Sequence, residues 1–381
     1  MAGAYTALAE DSSGCYFNPS GLSFSKEKEL SISGQAFYQK ETVFKEAIID
    51  QDFIETSSGM YPNFIGASFK SGGISTCLSL INLDYQDFNQ NDRFENVTDQ
   101  NGAVRDFYRT HQENGYYLMG GIGGAYRMGI LGIGASGFLY RRSIQSSNHQ
   151  FVVFNGGSTL VQDAKYTTNN HGYGMSIGLM LRFSKISIGF STRKMASLSD
   201  KTLGYVDRVT YIEAADGGEN SFEQLKSSDV SFDELNPVTH RLGLAWLEGQ
   251  GTTWSVDFLF HEGKDNFDSV DEAIEKVILM NTMNFSIGVE MVMSPMVFRT
   301  GFFSNLTMFP AVDPEVLNQR PHVDYFGMTL GVAFRGNKSE NSIGLLFQKG
   351  EGEAQIISNA RSVQDVESHV IIASWNTQYS L

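Results

Sequence analysis

Charged residues set among large apolar ones are the first candidates for chemistry in this 381-residue chain. Arg142, Arg182, Arg193, Arg241, Asp257, Glu290, Arg299 and Arg335 each fall on the polar side of an alternating segment. Inside a closed structure such charges need partners, because an isolated buried charge is costly. An arginine cluster can clamp a carboxylate or phosphate headgroup, but mutual pairing in a solvated interior is the simpler use. Arg182, Arg241, Asp257, Glu290 and Arg299 are the residues expected to carry either role. Enzyme chemistry has less to work with: there is no P-loop and no His-Glu-x-x-His, and the 7 histidines are scattered without metal-ligand spacing. The chain does not read as an enzyme, and no catalytic residue, cofactor or metal is expected.

The totals narrow the partners. Lys plus Arg is 28 against 43 for Asp plus Glu, a net charge of -15, which argues against nucleic acid. Only 19% of residues are charged, while Gly (39), Phe (28) and Tyr (16) run high and Pro is 7, a balance suited to strands joined by tight turns. The 2 cysteines, Cys15 and Cys77, allow one bridge or two free thiols. No run of 18 apolar residues is present, as a transmembrane helix would need; a β-barrel leaves no such run, because only every second residue meets lipid. No basic and apolar leader opens the numbering, so either it begins after processing or the protein is not exported.

From residue 28 the sequence falls into alternating segments of about ten residues, the length with which a tilted strand crosses a bilayer. Segment 28–43 sets Leu30, Ile32, Gly34, Ala36 and Tyr38 against Ser31, Ser33, Gln35 and Gln39. Later segments repeat the pattern, among them Tyr173 to Phe183 and a last one that ends on Trp375, Tyr379 and Leu381. The reading gives fourteen strands, six short connections and seven long ones in strict alternation, the organisation of an outer-membrane barrel. The stretches 87–114, 144–170 and 197–237 read as long polar loops, and 265–280 as an amphipathic helix inside another. Within 74–86, Ser75, Thr76 and Ser79 interrupt the alternation, which predicts either a kinked strand or a misplaced boundary.

Residues 1–22 are different, rich in small side chains and without alternation. The strings Ala4-Tyr5-Thr-Ala-Leu-Ala-Glu10-Asp11 and Tyr16-Phe17-Asn18-Pro19-Ser20-Gly21-Leu22 resemble the N-terminal segment of the FadL-type outer-membrane transporters. The strand that ends abruptly on Leu381 is similar to a barrel-assembly signal, though that signal commonly ends in Phe. The family commonly has Asn-Pro-Ala where this chain has Asn18-Pro19-Ser20, and its hatch begins further upstream.

The resemblance implies an all-β protein: a 14-stranded antiparallel transmembrane β-barrel over 28–381, with 1–27 as a hatch in the lumen. It implies passive uptake of hydrophobic small molecules, long-chain fatty acids or similar, through a lumenal pocket and a lateral opening in the wall. Tyr5, Phe17, Asn18, Pro19 and Ser20 would form the gate; an ordinary N-terminal cap and turn is the plainer alternative. Phe151, Val152, Val153 and Phe154, apolar in a polar stretch, would form an external groove for the substrate, or simply pack on neighbouring strands. The setting is the outer membrane of a Gram-negative bacterium, with lipid and lipopolysaccharide around the wall. Some FadL-like barrels instead bind a protein partner at their extracellular loops, as the type IX secretion shuttle does. The acid-rich stretch 197–237 suits that role, and its spacing fits no defined calcium loop.

Overall fold

The computed structural model describes residues 1–25, 28–48, 51–95, 104–155, 157–212, 219–228, 236–248, 251–264, 278–315, 319–355 and 363–381. Its strands are β1 (Glu29–Ile48), β2 (Gln51–Ser71), β3 (Ile74–Glu95), β4 (Val104–Met128), β5 (Leu131–Phe154), β6 (Thr159–Arg182), β7 (Ile186–Ile212) and β8 (Glu219–Ser228). The second half adds β9 (Thr239–Glu248), β10 (Thr252–His261), β11 (Thr282–Met293), β12 (Met296–Asn305), β13 (His322–Arg335), β14 (Ser339–Ala354) and β15 (Gln364–Ser380). Sequence neighbours pair antiparallel except β8 with β9, β7 pairs with β9, and β1 pairs with β15 from Glu29–Ser380 to Phe44–Val366. The wall is therefore a closed 14-stranded barrel, and closure removes the free edges that an open sheet would present. β8 stands outside the wall, folded back on the far half of β7.

Outward positions form an apolar belt. Leu30, Ile65, Leu80, Ile122, Leu139, Ile177, Leu244, Phe285, Phe302, Ile343 and Trp375 are among its exposed side chains. In water such a surface would drive aggregation; against lipid tails it is the required face, with backbone groups satisfied between strands. Short turns sit at one rim. Gly72 (φ 63°) and Gly129 (φ 62°) supply the left-handed residues that tight hairpins need.

Two sequence expectations change. The polar stretches 87–114, 144–170 and 197–237 are in large part strand: β3 with β4, β5 with β6, and β7 with β8 continue pairing well past the apolar belt. Beyond the bilayer the outer strand face meets water rather than lipid, so no apolar alternation marks them. The phase within β1 also breaks at a bulge between Gln35 and Phe37, which sends Phe37 outward (45% exposed) and Tyr38 inward. The helix expected over 265–280 lies outside the described residues except at 278–280.

Candidate functional site

Residues 1–25 lie inside the barrel at the short-turn end. Small residues let them approach the wall closely, and the wall answers with glycines. A Cβ at Gly243 would fall 2.8 Å from the Ala7 nitrogen, one at Gly134 2.5 Å from the Pro19 carbonyl carbon, and one at Gly288 2.7 Å from the Met1 oxygen. Asn18 precedes a 3-10 turn, Pro19–Phe24, and caps it by accepting from the Ser20 N–H (3.2 Å) and hydroxyl (2.6 Å). The Asn18 amide also donates to the Thr6 carbonyl (2.9 Å), tying the two halves of the segment together. Helix α1 (Gly14–Phe17) joins them, and its Cys15 forms a disulfide with Cys77 on β3. Of the two thiol states open in the sequence, the bonded one is present.

The charged residues meet this segment. Asp257 accepts the N–H groups of Tyr5 and Thr6, and Arg182 pairs with Glu10. Arg193 stands 4.1 Å from the Tyr16 ring centroid, Arg241 5.3 Å from Phe17, and Arg182 5.7 Å from Phe24, so cations cap aromatic faces. Glu290 and Arg299 pair with each other at 2.7 Å, and Arg299 also reaches Glu340 at 2.6 Å. Arg335 extends that ladder to the rim, 2.8 Å from Glu340. Tyr5, Phe17, Asn18, Pro19 and Ser20 thus come together, with the Tyr5 and Phe17 rings edge to face at 5.6 Å.

Above the segment the lumen holds an apolar patch. Ile81, Met119, Phe138 and Tyr140 form a buried cluster, with Tyr16, Phe64, Tyr117 and Met195 packed on it. Sequence reasoning missed this cluster. Its signal is Phe138 and Tyr140, large rings on the inward phase of a strand whose preceding inward residues, Gly132, Gly134 and Ser136, are small.

Beside the cluster the wall comes apart. β2 and β3 pair only from Ser71–Ile74 to Phe64–Ile81; beyond that pair the backbones of the two strands no longer bond, forming a seam. The Gln90 side chain spans it, accepting from the Thr56 N–H (3.2 Å) and donating to the Ile54 carbonyl. A bulge between Asn82 and Asp84 turns β3 at the same level. The irregularity expected at Ser75, Thr76 and Ser79 therefore lies a few residues later. Ser75 and Ser79 are regular inward positions with Thr76 outward between them, all paired on both sides. The bulge shifts the phase, which is why one alternation fitted the segment poorly.

A chamber of about 310 Å³ opens along the seam, with Tyr38, Tyr61 and Phe88 among its walls. Its carboxylates are Glu55, Asp84, Asp87 and Glu113, against Lys40 in the lining and Arg109 3.6 Å from Glu55. At the far rim Phe44, Ala47, Phe53, Ala354 and Val366 form a second apolar cluster. On the lipid side a hollow of about 780 Å³ runs from Ile65 and Leu80 across Gly120 and Gly137.

Phe151–Phe154 is elsewhere. It ends β5, paired with β4 and β6, with Val152 buried and the Phe151 ring 5.9 Å from Tyr108. Val152 is 16 residues past Ser136, whose neighbourhood touches the N-terminal segment, roughly 50 Å along an extended strand. One string, Gly174-Met-Ser176-Ile-Gly178, fits the Gly-x-Ser-x-Gly pattern, but it runs straight through β6 and has no strand-to-helix elbow to raise a nucleophile. Among the described residues no group of three or more His, Cys, Asp or Glu is placed to hold a metal ion.

No protein-family model and no curated protein matches the chain. Solved structures do. A FadL homologue of Pseudomonas aeruginosa is 12% identical with a TM-score of 0.63, over 100% of this chain and 96% of that one. The toluene transporter TodX of Pseudomonas putida is 12% identical with a TM-score of 0.59, over 97% and 94%. The toluene transporter TbuX of Ralstonia pickettii is 12% identical with a TM-score of 0.57, again over 97% and 94%. At such identity the likeness speaks for architecture, and it extends along nearly the whole of each chain. This chain has the fold of the FadL-type outer-membrane transporters.

Proposed function

We propose that the protein is an outer-membrane channel for passive uptake of hydrophobic small molecules, with exit through the wall between β2 and β3. The observation that carries the reading is the coincidence of three features at one level: the end of β2–β3 pairing at Phe64–Ile81, the lumenal cluster of Ile81, Met119 and Phe138, and the external hollow beginning at Ile65 and Leu80. An apolar molecule in the lumen there has a greasy surface on one side and lipid on the other. Burying its surface at both stations is worth roughly 25 cal/mol per Å², so neither step requires it to meet bulk water. Residues 1–25 act as the hatch below, which leaves the wall as the way out.

The chamber above refines the substrate. A long-chain fatty acid anion would pass Glu55, Asp84, Asp87 and Glu113 with Lys40 and Arg109 as the cations at hand. An uncharged hydrocarbon avoids that repulsion and is the better fit. The Phe151–Phe154 run serves as an outer landing surface at the far end of β5.

Whole cells with a lipopolysaccharide leaflet test the reading. Cells making the protein should take up a labelled aromatic hydrocarbon faster than cells without it, and faster than they take up a fatty acid anion. Cysteines in place of Asn63 and Asn82, the positions next beyond the last β2–β3 pair, should abolish the gain once oxidised. Unchanged uptake in the cross-linked protein would show that the molecule leaves by another route.

A second reading, docking of a protein partner, is favoured by the paired ribbons of β3–β4 and β5–β6 beyond the belt. Ordered strands give a partner a firmer surface than loops do. Deleting 87–114 should then remove binding of that partner while uptake of hydrocarbons persists.

A further inference from the structure

We propose that the Cys15–Cys77 disulfide makes residues 14–25 a fixed part of the inner wall and confines opening of the lumen to residues 1–13. The proposal deepens the hatch reading above and rests on it for its functional meaning.

The two halves of the segment are held differently. Residues 14–25 carry the covalent link to β3, with Cα atoms 6.0 Å apart. Around it Cys15, Leu22, Cys77 and Ala125 are buried together. The Ser191 hydroxyl donates to the Phe17 carbonyl (2.8 Å) and the Lys70 ammonium to the Ser25 carbonyl (2.5 Å). The 3-10 turn also seats on glycines of β5 and β6, where a Cβ at Gly132 would fall 2.7 Å from the Phe24 ring.

Residues 1–13 have no covalent hold. They touch the wall from β6 and β7 through β9 to β13, and β1 where Ser12 donates to Glu29 (3.4 Å), through small side chains and polar contacts. The Ala2 N–H donates to the Thr329 hydroxyl (3.1 Å), the Tyr5 and Thr6 N–H groups to Asp257, and Glu10 pairs with Arg182. Such contacts are exchangeable for water one by one, whereas a disulfide is not, and it persists in the oxidising space outside the inner membrane. Cys77 lies four residues before Ile81, where β3 leaves β2, so the fixed half also braces the strand that borders the seam. Motion of the free half opens the lumen from below without loosening that strand.

Hydrogen exchange of the full chain in lipid nanodiscs tests this without reference to transport. In the oxidised protein the amides of residues 2–13 should exchange about tenfold faster than those of 15–25. Reduction of the bond to two thiols by a phosphine, followed by alkylation, should raise 15–25 by about tenfold. C15S/C77S should do the same and covers the case of incomplete reduction. Equal rates in the two halves of the oxidised protein, or no change at 15–25 on reduction, would overturn the proposal. A flux arm follows: a second bond made in T6C/G243C, whose positions face each other, should stop passage while the native bond alone permits it. Passage seen only after the native bond is reduced would overturn it too, since the bond would then be the gate. If the exchange contrast holds and no variant takes up hydrocarbon, the tether stands and the transport reading falls.

Discussion

Asp257 on β10 holds Thr6 of the N-terminal segment by a 2.7 Å hydrogen bond from the Thr6 N–H, and the same carboxylate oxygen accepts the Tyr5 N–H at 2.9 Å. One wall side chain thereby satisfies two consecutive buried donors. Without it both lose an acceptor supplied by a strand 251 residues away in sequence from Thr6. Leaving a buried donor unsatisfied costs about 1–3 kcal/mol. Asp257→Ala should therefore release residues 1–13, raising both their protease sensitivity and the leak of small polar solutes into vesicles. Asp257→Asn keeps an acceptor oxygen and should show much less of either. Equal leak from the two variants would mean that the carboxylate charge, rather than the hydrogen bonds, holds the segment.

Wall glycines under the 3-10 turn offer a steric version of the same test. A Cβ at Gly178 would stand 2.0 Å from the Asn18 side-chain oxygen, and one at Gly134 2.5 Å from the Pro19 carbonyl carbon. Neither can be relieved by turning the end of a flexible side chain, because Asn18 is buried and bonded on both sides. Overpacking of this kind costs about 1–3 kcal/mol. Gly178→Ala should lower the temperature at which unboiled protein loses its compact gel migration. Gly137→Ala on the lipid face meets nothing within 4 Å and should leave that temperature unchanged.

The parts of the molecule that were legible in the sequence are those where one strand face meets lipid. Leu242, Leu244 and Trp246 against Gly243 and Ala245 could be read directly, because the bilayer imposes the alternation. Tyr38 was misplaced because a bulge two residues earlier reverses the phase, and a bulge has no residue signature of its own. The ribbons of β3–β4 and β5–β6 were read as loops since an outer face in water in place of lipid asks for no apolar alternation. Charges fared unevenly: that Arg182 would pair followed from its burial, but its partner Glu10 could not be named without the fold. The Cys15–Cys77 bond is the clearest limit, because two cysteines 62 residues apart carry no record of whether the chain brings them together.

The lumenal cluster makes a prediction that separates binding from folding. Met119 and Phe138 are 1% and 3% exposed and belong to one cluster on the inner face of β4 and β5 near the seam, Met119 opposite Tyr140 and Phe138 opposite Gly121. Phe138→Ala removes a ring whose burial is worth about 3–5 kcal/mol with its cavity. A barrel held by fourteen paired strands should keep its gel migration at room temperature despite that loss. Hydrocarbon uptake should fall severalfold, and Met119→Ala should act in the same direction with a smaller effect. Uptake equal to the parent protein in both would place the passage away from this surface.

The ladder of Glu290, Arg299 and Glu340 allows the energetics of lumenal charge to be measured directly. Arg299 bonds one carboxylate at 2.7 Å and the other at 2.6 Å, with side-chain exposures of 26% for Arg299, 22% for Glu290 and 12% for Glu340. Breaking a fully buried pair costs about 3–5 kcal/mol, and partial exposure here should reduce the figure to about 1–3 kcal/mol. Arg299→Met leaves Glu290 without its cation and should lower the unfolding midpoint accordingly. The triple variant E290Q/R299M/E340Q removes the stranded charges along with the bonds, so most of the loss should be recovered. Arg335, half-exposed at the rim, then loses only a solvated contact to Glu340. If the triple variant is no more stable than Arg299→Met alone, the bonds themselves stabilise the wall. If it returns close to the parent, the ladder serves chiefly to neutralise charge in the lumen.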